Sequence, residues 1–258
     1  GQRPSSRADL SEVLPLTIFT PEGVDIVRQG PENRRVFLAN LMTDVDLSTG
    51  ELIERYDRVL QQRNALLKSW QSTSPTAFQR QELSVWTKDL SSHAEVLVRH
   101  REDLLQSLRP LVEEYYQELA QDTKSVGVLY ERSWQGDLEA ALESAYEDDR
   151  YRGHTTVGPH RDDIALTLDG RDARRQASQG EQRSLALALR LAGHELIRAT
   201  RNLDPLLLLD DVFSELDPLR SDRLLGLLPK GQTLVTTASP LPATMAPAAI
   251  IDLTREGA

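Results

Sequence analysis

Residues 177–217 read ASQGEQRSLALALRLAGHELIRATRNLDPLLLLDDVFSELD, and the order of features along them decides the fold. The turn Ser178-Gln179-Gly180 opens an alanine- and leucine-rich helix expected over residues 181–200, and Leu206 to Leu209 then run straight into Asp210 and Asp211. A short apolar run bounded by proline and acids is the pattern of a buried parallel strand, with its chemistry at the carboxyl end. An open helix N-terminus offers N–H groups and a positive dipole end to an anion. Paired carboxylates after a strand hold a hydrated magnesium ion and orient a water. Each feature alone has a plainer reading, as an N-cap or an ordinary strand end. Their order, followed by Ser214-Glu215-Leu216-Asp217, points to nucleotide chemistry.

Composition narrows the field. The 258 residues carry a net charge of -10, so a generally basic nucleic-acid binder is excluded and any DNA surface is a local patch. There is no cysteine, which removes disulfides and thiolate metal sites. No apolar run approaches the roughly 20 residues of a membrane span and no signal peptide is visible, so the expectation is a cytoplasmic protein with no membrane partner. The first residue is Gly1 and not methionine, as in a processed or truncated product.

On the N-terminal side, Gly1 to Asp9 are polar and expected to fray. Val13 to Phe19 reads as a strand, with Pro15 suiting its start. Thr20-Pro21-Glu22 begins a short helix, and Gly30-Pro31 a second one carrying Arg34 and Arg35, which are either a solvent face or a basic contact surface. From Ser48 to Trp70, apolar residues recur at spacings of three and four, Tyr56, Val59 and Leu67 among them, with Arg63 as a gap. Gln71 to Ser74 breaks the pattern. Ser74-Pro75 starts a second long helix, on which Leu83, Leu90, Ala94, Leu97, Leu104 and Leu108 keep the spacing up to Arg109-Pro110. Two such helices joined by a short loop zip into an antiparallel hairpin arm. Pro110 kinks or restarts the second, which runs on to about Thr123.

Ser125 to Glu131 reads as a strand, and Asp137 caps a helix to about Asp149. Strands near Thr155–Gly158 and Asp163–Leu168 and a hairpin turn at Asp169-Gly170 follow. His154 and His160 fit no metal-ligand spacing well. Beyond the opening stretch, Pro218 starts a helix to Leu228, Gln232 to Thr237 reads as a buried strand, and Ala249 to Leu253 as a last one.

Taken together, IFTPEGVDIV, GPENRRVFL, RYDRVLQQRNALLK, VGPHRDDI, SQGEQRSLALALRLA and LLLLDDVFSELDPLR resemble the RecF family of bacterial recombination-repair proteins, built on an ABC-type ATPase head. The resemblance implies an α/β fold: an ABC/SMC-type ATPase head, partial for want of its P-loop sub-domain, with an inserted helical hairpin arm. It implies a division into residues 1–40, the remainder of the first ATPase sub-domain, 41–123, the arm, and 124–258, the part with signature, Walker B and D-loop. Ser178, Gln179, Gly180, Glu181 and Gln182 match the signature that presses on the ATP γ-phosphate of an opposite subunit. Asp210 is similar to the Walker B acid that holds magnesium through water. Asp211 matches the acid that polarises the attacking water, where most ABC ATPases place a longer glutamate. Ser214 to Asp217 match the D-loop at the dimer interface.

This sequence also departs from the general ABC pattern. Thr237 stands where many ABC enzymes carry a switch histidine, and the turn at Thr20 to Glu22 lacks a Q-loop glutamine. No P-loop is present; residues 229–233 lack its glycine spacing, and the expectation is that the family's N-terminal segment bearing that loop precedes the part matched here. The implied cofactors are ATP and Mg2+. The implied partners are DNA at single-strand to double-strand junctions, RecR- and RecO-type mediators, and a second copy joined through ATP, with recombinase loading at gaps as the role in repair, recombination, replication and the SOS response. Arg34, Arg35, Arg171, Arg174 and Arg175 are basic candidates for DNA contact, each also readable as ordinary surface charge. The chain alone is expected to be ATPase-deficient. The alternative is a non-catalytic interaction module using the arm.

Overall fold

The computed structural model describes residues 14–71, 75–229, 231–238 and 240–252. The expected fraying over Gly1–Asp9, the strand start at Val13, residues 72–74 of the polar break and Leu253 lie outside them.

Strand β1 (Leu16–Phe19) ends at Thr20, where Pro21 opens a 3-10 turn (Pro21–Val24) that runs into the single-turn helix α1 (Asp25–Arg28). Pro31, with its φ already set for a helix, begins α2 (Pro31–Val45). The hairpin consists of α3 (Ser48–Ser69) and α4 (Ala77–Ala120). Helix α4 opens on a reciprocal capping box, in which the Thr76 hydroxyl accepts from the Gln79 N–H and the Gln79 amide oxygen accepts from the Thr76 N–H. Its 44 residues are continuous, so at 1.5 Å per residue it is roughly 66 Å long. Of the expected kink or restart at Pro110, the restart does not occur. Pro110 faces solvent, while Leu108, Val112 and Tyr116 on the opposite side are fully buried, and that packing carries the helix past the missing N–H.

After β2 (Val126–Glu131), the single helix expected up to Asp149 is two: α5 (Leu138–Ser144), capped by Asp137, and α6 (Tyr146–Arg152), closed by left-handed Gly153. No strand forms over residues 155–158. The N–H groups that a ladder would use go to side chains: Thr155 N–H donates to Asn64, Thr156 N–H to Asp149 and Gly158 N–H to Ser133. Strand β3 (Asp163–Leu168) turns through Asp169-Gly170, both at positive φ, into β4 (Arg171–Asp172), the hairpin geometry that an Asp-Gly pair favours. Helices α7 (Ala173–Gln176) and α8 (Gln179–Arg201) lead to β5 (Leu206–Asp210), a 3-10 turn (Val212–Glu215), α9 (Pro218–Leu227) and β6 (Thr233–Thr236). Residues 249–252, expected to begin a last strand, carry no regular structure.

Two sheets result. One is parallel in the order β1-β5-β6, aligning Phe19 with Leu209 and Asp210 with Thr236; the other is antiparallel in the order β2-β3-β4. Thr17, Phe19, Leu207 and Leu209 form the buried face of the parallel sheet, and α8 packs against β1. On the other face Ile18 and Leu234 are exposed, so β6, expected to be buried, is half-exposed. Helix α8 also packs along α4, and Leu185, Ala188, Leu189, Leu191 and Ala192 are buried on it. Each leucine so buried stabilises the fold by about 1.5–3 kcal/mol. The resulting head positions the carboxyl end of β5 and the first turn of α8.

Candidate functional site

Strand β5 delivers Asp210 and Asp211 to the carboxyl end of the parallel sheet. Asp210 is exposed, and its Oδ1 accepts a hydrogen bond from the Thr236 hydroxyl on the neighbouring strand. Asp211 donates its N–H to the Thr236 carbonyl at 2.9 Å. Its backbone is left-handed, with φ 48° and ψ 27°, an arrangement that costs a non-glycine residue about 1–2 kcal/mol and collects at functional sites. Ser214 lies beneath the carboxylate, with its Oγ 2.8 Å from the Asp211 carbonyl oxygen and 2.9 Å from Oδ2. Asp211 Oδ1 is buried and has no hydrogen-bond partner among the described residues. Thr237 follows directly on β6. The Thr20-Pro21 turn lines a small cleft together with Arg183, Val212 and Glu215.

The start of α8 divides its residues between surface and support. Ser178 and Gln179 are exposed, and Gly180 is partly so. Ser178 caps the helix, its hydroxyl accepting from the Glu181 N–H, while a Glu181 carboxylate oxygen accepts from the Ser178 N–H at 2.7 Å. Glu181 also pairs with Lys124, and these bonds, that from Lys124 first and those from Ser178 next, hold its carboxyl down to about 2. Gln182 is buried; its amide nitrogen donates to the carbonyls of Ala173 and Arg174 at 3.1 and 3.0 Å, and its oxygen accepts from Arg28 Nε at 3.0 Å. Glu181 and Gln182 therefore build the turn that Ser178 and Gln179 present.

Arg220 joins this turn to the start of α9. A Cβ on Gly180 would come within 2.9 Å of the Arg220 guanidinium, the far end of a flexible side chain that would have to shift to admit it. Arg220 pairs with Asp217 at 2.6 Å, and Asp217 caps α9 by accepting the Arg220 N–H, bonds that lower its carboxyl pKa. Arg183 donates to the Glu215 carbonyl at 2.8 Å, a second tie between α8 and the turn after β5.

The basic candidates separate. Arg34 is buried, in an ion pair with Asp163 and donating to the carbonyls of Ile26 and Gln29, so its guanidinium is spent inside the protein and the expected DNA contact is corrected. Arg35 is half-buried and donates to the Asp162 carbonyl at 2.9 Å. Arg171, Arg174 and Arg175 are exposed next to the turn that begins α8, and Arg174 Nε donates to the Arg28 carbonyl.

A buried polar junction went unread in the sequence. Arg63, treated there as a gap, is 1 % exposed and donates to Asp149, Thr155 and Thr87 at 2.7, 2.7 and 3.1 Å. Arg101, also buried, donates to the Pro159 carbonyl at 2.7 Å and to the Tyr130 hydroxyl at 3.1 Å. The His160 ring bonds the Tyr56 hydroxyl at 2.7 Å and the Thr155 carbonyl at 3.0 Å, and burial lowers its pKa to about 4. Asp162 accepts from the Tyr130 hydroxyl and the Ser133 N–H, and burial raises its pKa. VGPHRDD is thus a buttress between hairpin and head. The available signal was a charged residue in an apolar stripe at helical spacing, which demands a buried partner. Among the described residues, no three histidines or acids gather as a metal cage.

No protein-family profile matches the chain. Curated relatives do. The DNA replication and repair protein RecF of Heliobacterium modesticaldum is 37 % identical over 241 residues, covering 89 % of this chain and 64 % of that protein. The protein of the same name from Frankia alni is 39 % identical over 248 residues, with 89 % and 65 % covered, and that from Trichodesmium erythraeum 35 % over 263 residues, with 92 % and 67 % covered. The chain thus spans about two thirds of their length, and less than that of the Heliobacterium protein. Among solved structures it is similar to the recombination mediator protein RecF-ATPrS of the RecFOR pathway, with a TM-score of 0.80 and 25 % identity over 92 % of this chain and 66 % of that one. The corresponding RecF-ATP structure gives a TM-score of 0.79 and 27 % identity.

Proposed function

The chain belongs to the RecF family and is a partial ABC/SMC-type ATPase head with an inserted helical hairpin; from that premise we propose that it is the acid- and signature-bearing part of an ATP-binding DNA repair protein. The observation that carries this reading is the pair at the end of β5: Asp210 exposed, and Asp211 in a strained backbone with one buried, uncommitted carboxylate oxygen. Strain and an unsatisfied buried acceptor at the carboxyl end of a parallel sheet mark a site that a ligand completes. The relatives named as RecF-ATP and RecF-ATPrS support ATP as that ligand.

In this reading Asp210 would hold Mg2+ through water, as suits a cation that takes few protein ligands directly. Bound Mg2+ supplies neutralisation of phosphate charge. Asp211 orients the attacking water, and the exposed Ser178-Gln179-Gly180 turn offers the N-terminal end of α8 to the γ-phosphate held by a second copy. The remaining ground-state phosphate contacts belong to a P-loop outside this chain, so the chain alone binds ATP weakly and does not hydrolyse it. Ser214 and Asp217 lie at the dimer contact, and Thr237 faces the nucleotide from β6. Residues 1–40, 41–123 and 124–258 are the first sub-domain's remainder, the arm and the C-terminal part. DNA at single-strand to double-strand junctions is met at Arg171, Arg174 and Arg175, with RecR- and RecO-type mediators as partners in recombinase loading, in the cytoplasm. No helix of the described residues is long and apolar enough to cross a membrane.

The test uses the chain extended by the family's P-loop segment. Ser178→Arg leaves ATP binding by the monomer intact and abolishes ATP-dependent dimerisation in sedimentation. Asp211→Asn slows hydrolysis and keeps the dimer. If Ser178→Arg still dimerises on ATP, or folded Asp211→Asn loses the dimer, the shared site is wrong.

A further inference from the structure

The turn after β5 is organised around one hydroxyl. Ser214 follows Asp211 by three residues, and its Oγ lies within hydrogen-bond distance of both the Asp211 carbonyl oxygen and Oδ2. A serine hydroxyl carries one proton, which these two acceptors share. The Asp211 N–H is fixed on the Thr236 carbonyl, and the left-handed backbone sets the direction in which the side chain leaves the chain. An aspartate χ2 is otherwise a broad, two-fold torsion that interconverts the two oxygens. Here one oxygen is tethered and the other, Oδ1, is buried with no partner among the described residues. The two oxygens of Asp211 are thereby made unequal.

We propose that Ser214 is the positioning residue of Asp211: by holding Oδ2 while Oδ1 is shut away from solvent, it fixes the orientation of the carboxylate that accepts a hydrogen bond from the attacking water. This rests on the reading of Asp211 as the water-orienting acid, and it gives Ser214 a task within its own subunit, distinct from any contact across a dimer. Misplacing an orienting group by a fraction of an ångström costs rate and leaves substrate binding alone.

Two measurements test it. In the chain extended by the P-loop segment, Ser214→Ala lowers kcat for ATP hydrolysis roughly 10- to 100-fold, with KM for ATP within about twofold. Ser214→Thr, which keeps the hydroxyl, retains kcat within about threefold. On an Asp211→Asn background, Ser214→Ala lowers kcat by less than about twofold, because two residues acting through one interaction do not add. An unchanged kcat in Ser214→Ala, an equal loss on both backgrounds, or a loss of dimerisation at undiminished kcat per dimer overturns the proposal. The second measurement needs no nucleotide: in the present chain, the Asp211 carboxyl carbon resonance moves in Ser214→Ala and stays in Ser214→Thr. A resonance unmoved by Ser214→Ala overturns the tether. A moved resonance in a protein that never hydrolyses ATP supports the tether and overturns the functional reading instead.

Discussion

Arg63→Met removes the guanidinium from the best-buried ion pair among the described residues and leaves its hydrophobic volume largely filled. Arg63 is 1 % exposed and Asp149 is fully buried, so neither partner has water to fall back on. After the change Asp149 keeps the N–H and hydroxyl of Thr156, at 2.8 and 2.6 Å, and Thr155 and Thr87 each lose a donor. Breaking a buried pair by deleting one partner costs about 3–5 kcal/mol, because it strands the other charge. For a domain of this size each kcal/mol shifts the melting temperature by about 2–4 °C, so the expected drop is about 10 °C. Thermal unfolding of the chain followed by circular dichroism reads it directly. The double variant Arg63→Met with Asp149→Leu is expected to melt above either single variant, since no charge is then left unpaired. A drop below about 2 °C in Arg63→Met, or a double variant less stable than both singles, refutes the reasoning.

Pro110→Ala restores an N–H on the exposed face of a continuous helix, and it is expected to raise the unfolding free energy by about 1–3 kcal/mol in urea titration; a loss of stability would mean that Pro110 sets a bend the fold requires. Glu181 is held at about 2 against an ordinary 4.5, so its contribution to stability is full above the ordinary value and is lost as pH falls through the folded one. Lys124→Met is expected to return the Glu181 carboxyl towards the ordinary range in an NMR titration, and the wild type's advantage over this variant should fade between pH 4.5 and about pH 2; an unmoved Glu181 titration would assign the depression to Ser178 alone.

The sequence made the head legible wherever periodicity and chain order coincide. The four leucines ending in Asp210-Asp211 became β5, and the helix opened by Ser178 became α8, because strand-length apolar runs and capping residues are local signals. Failures fell where long-range contacts overrode local ones. Pro110 marks a break by propensity, yet the buried seam of Leu108, Val112 and Tyr116 carries the helix through it. Residues 155–158 read as a strand, but the side chains of Asn64 and Ser133, distant in sequence, and of Asp149, seven residues before Thr156, take their N–H groups. Arg34 and Arg63 look like surface charge in one dimension, and only folding brings Asp163 and Asp149 to them. At the candidate site, chain order singled out the acids and the turn that the fold places at the end of β5 and the start of α8, whereas the left-handed backbone of Asp211 and its tether to Ser214 have no sequence signature.

Helix α4 begins at its Thr76 cap in the hairpin, runs unbroken to Ala120 and packs along α8. Mechanically an unbroken helix of this length is a lever. A tilt of about 10° at the head end sweeps a rod of roughly 66 Å through about 11 Å at its far end. Conversely, a load on the far end arrives as torque on the seam of Leu108, Val112 and Tyr116, next to the helix whose first turn is Gln179-Gly180-Glu181.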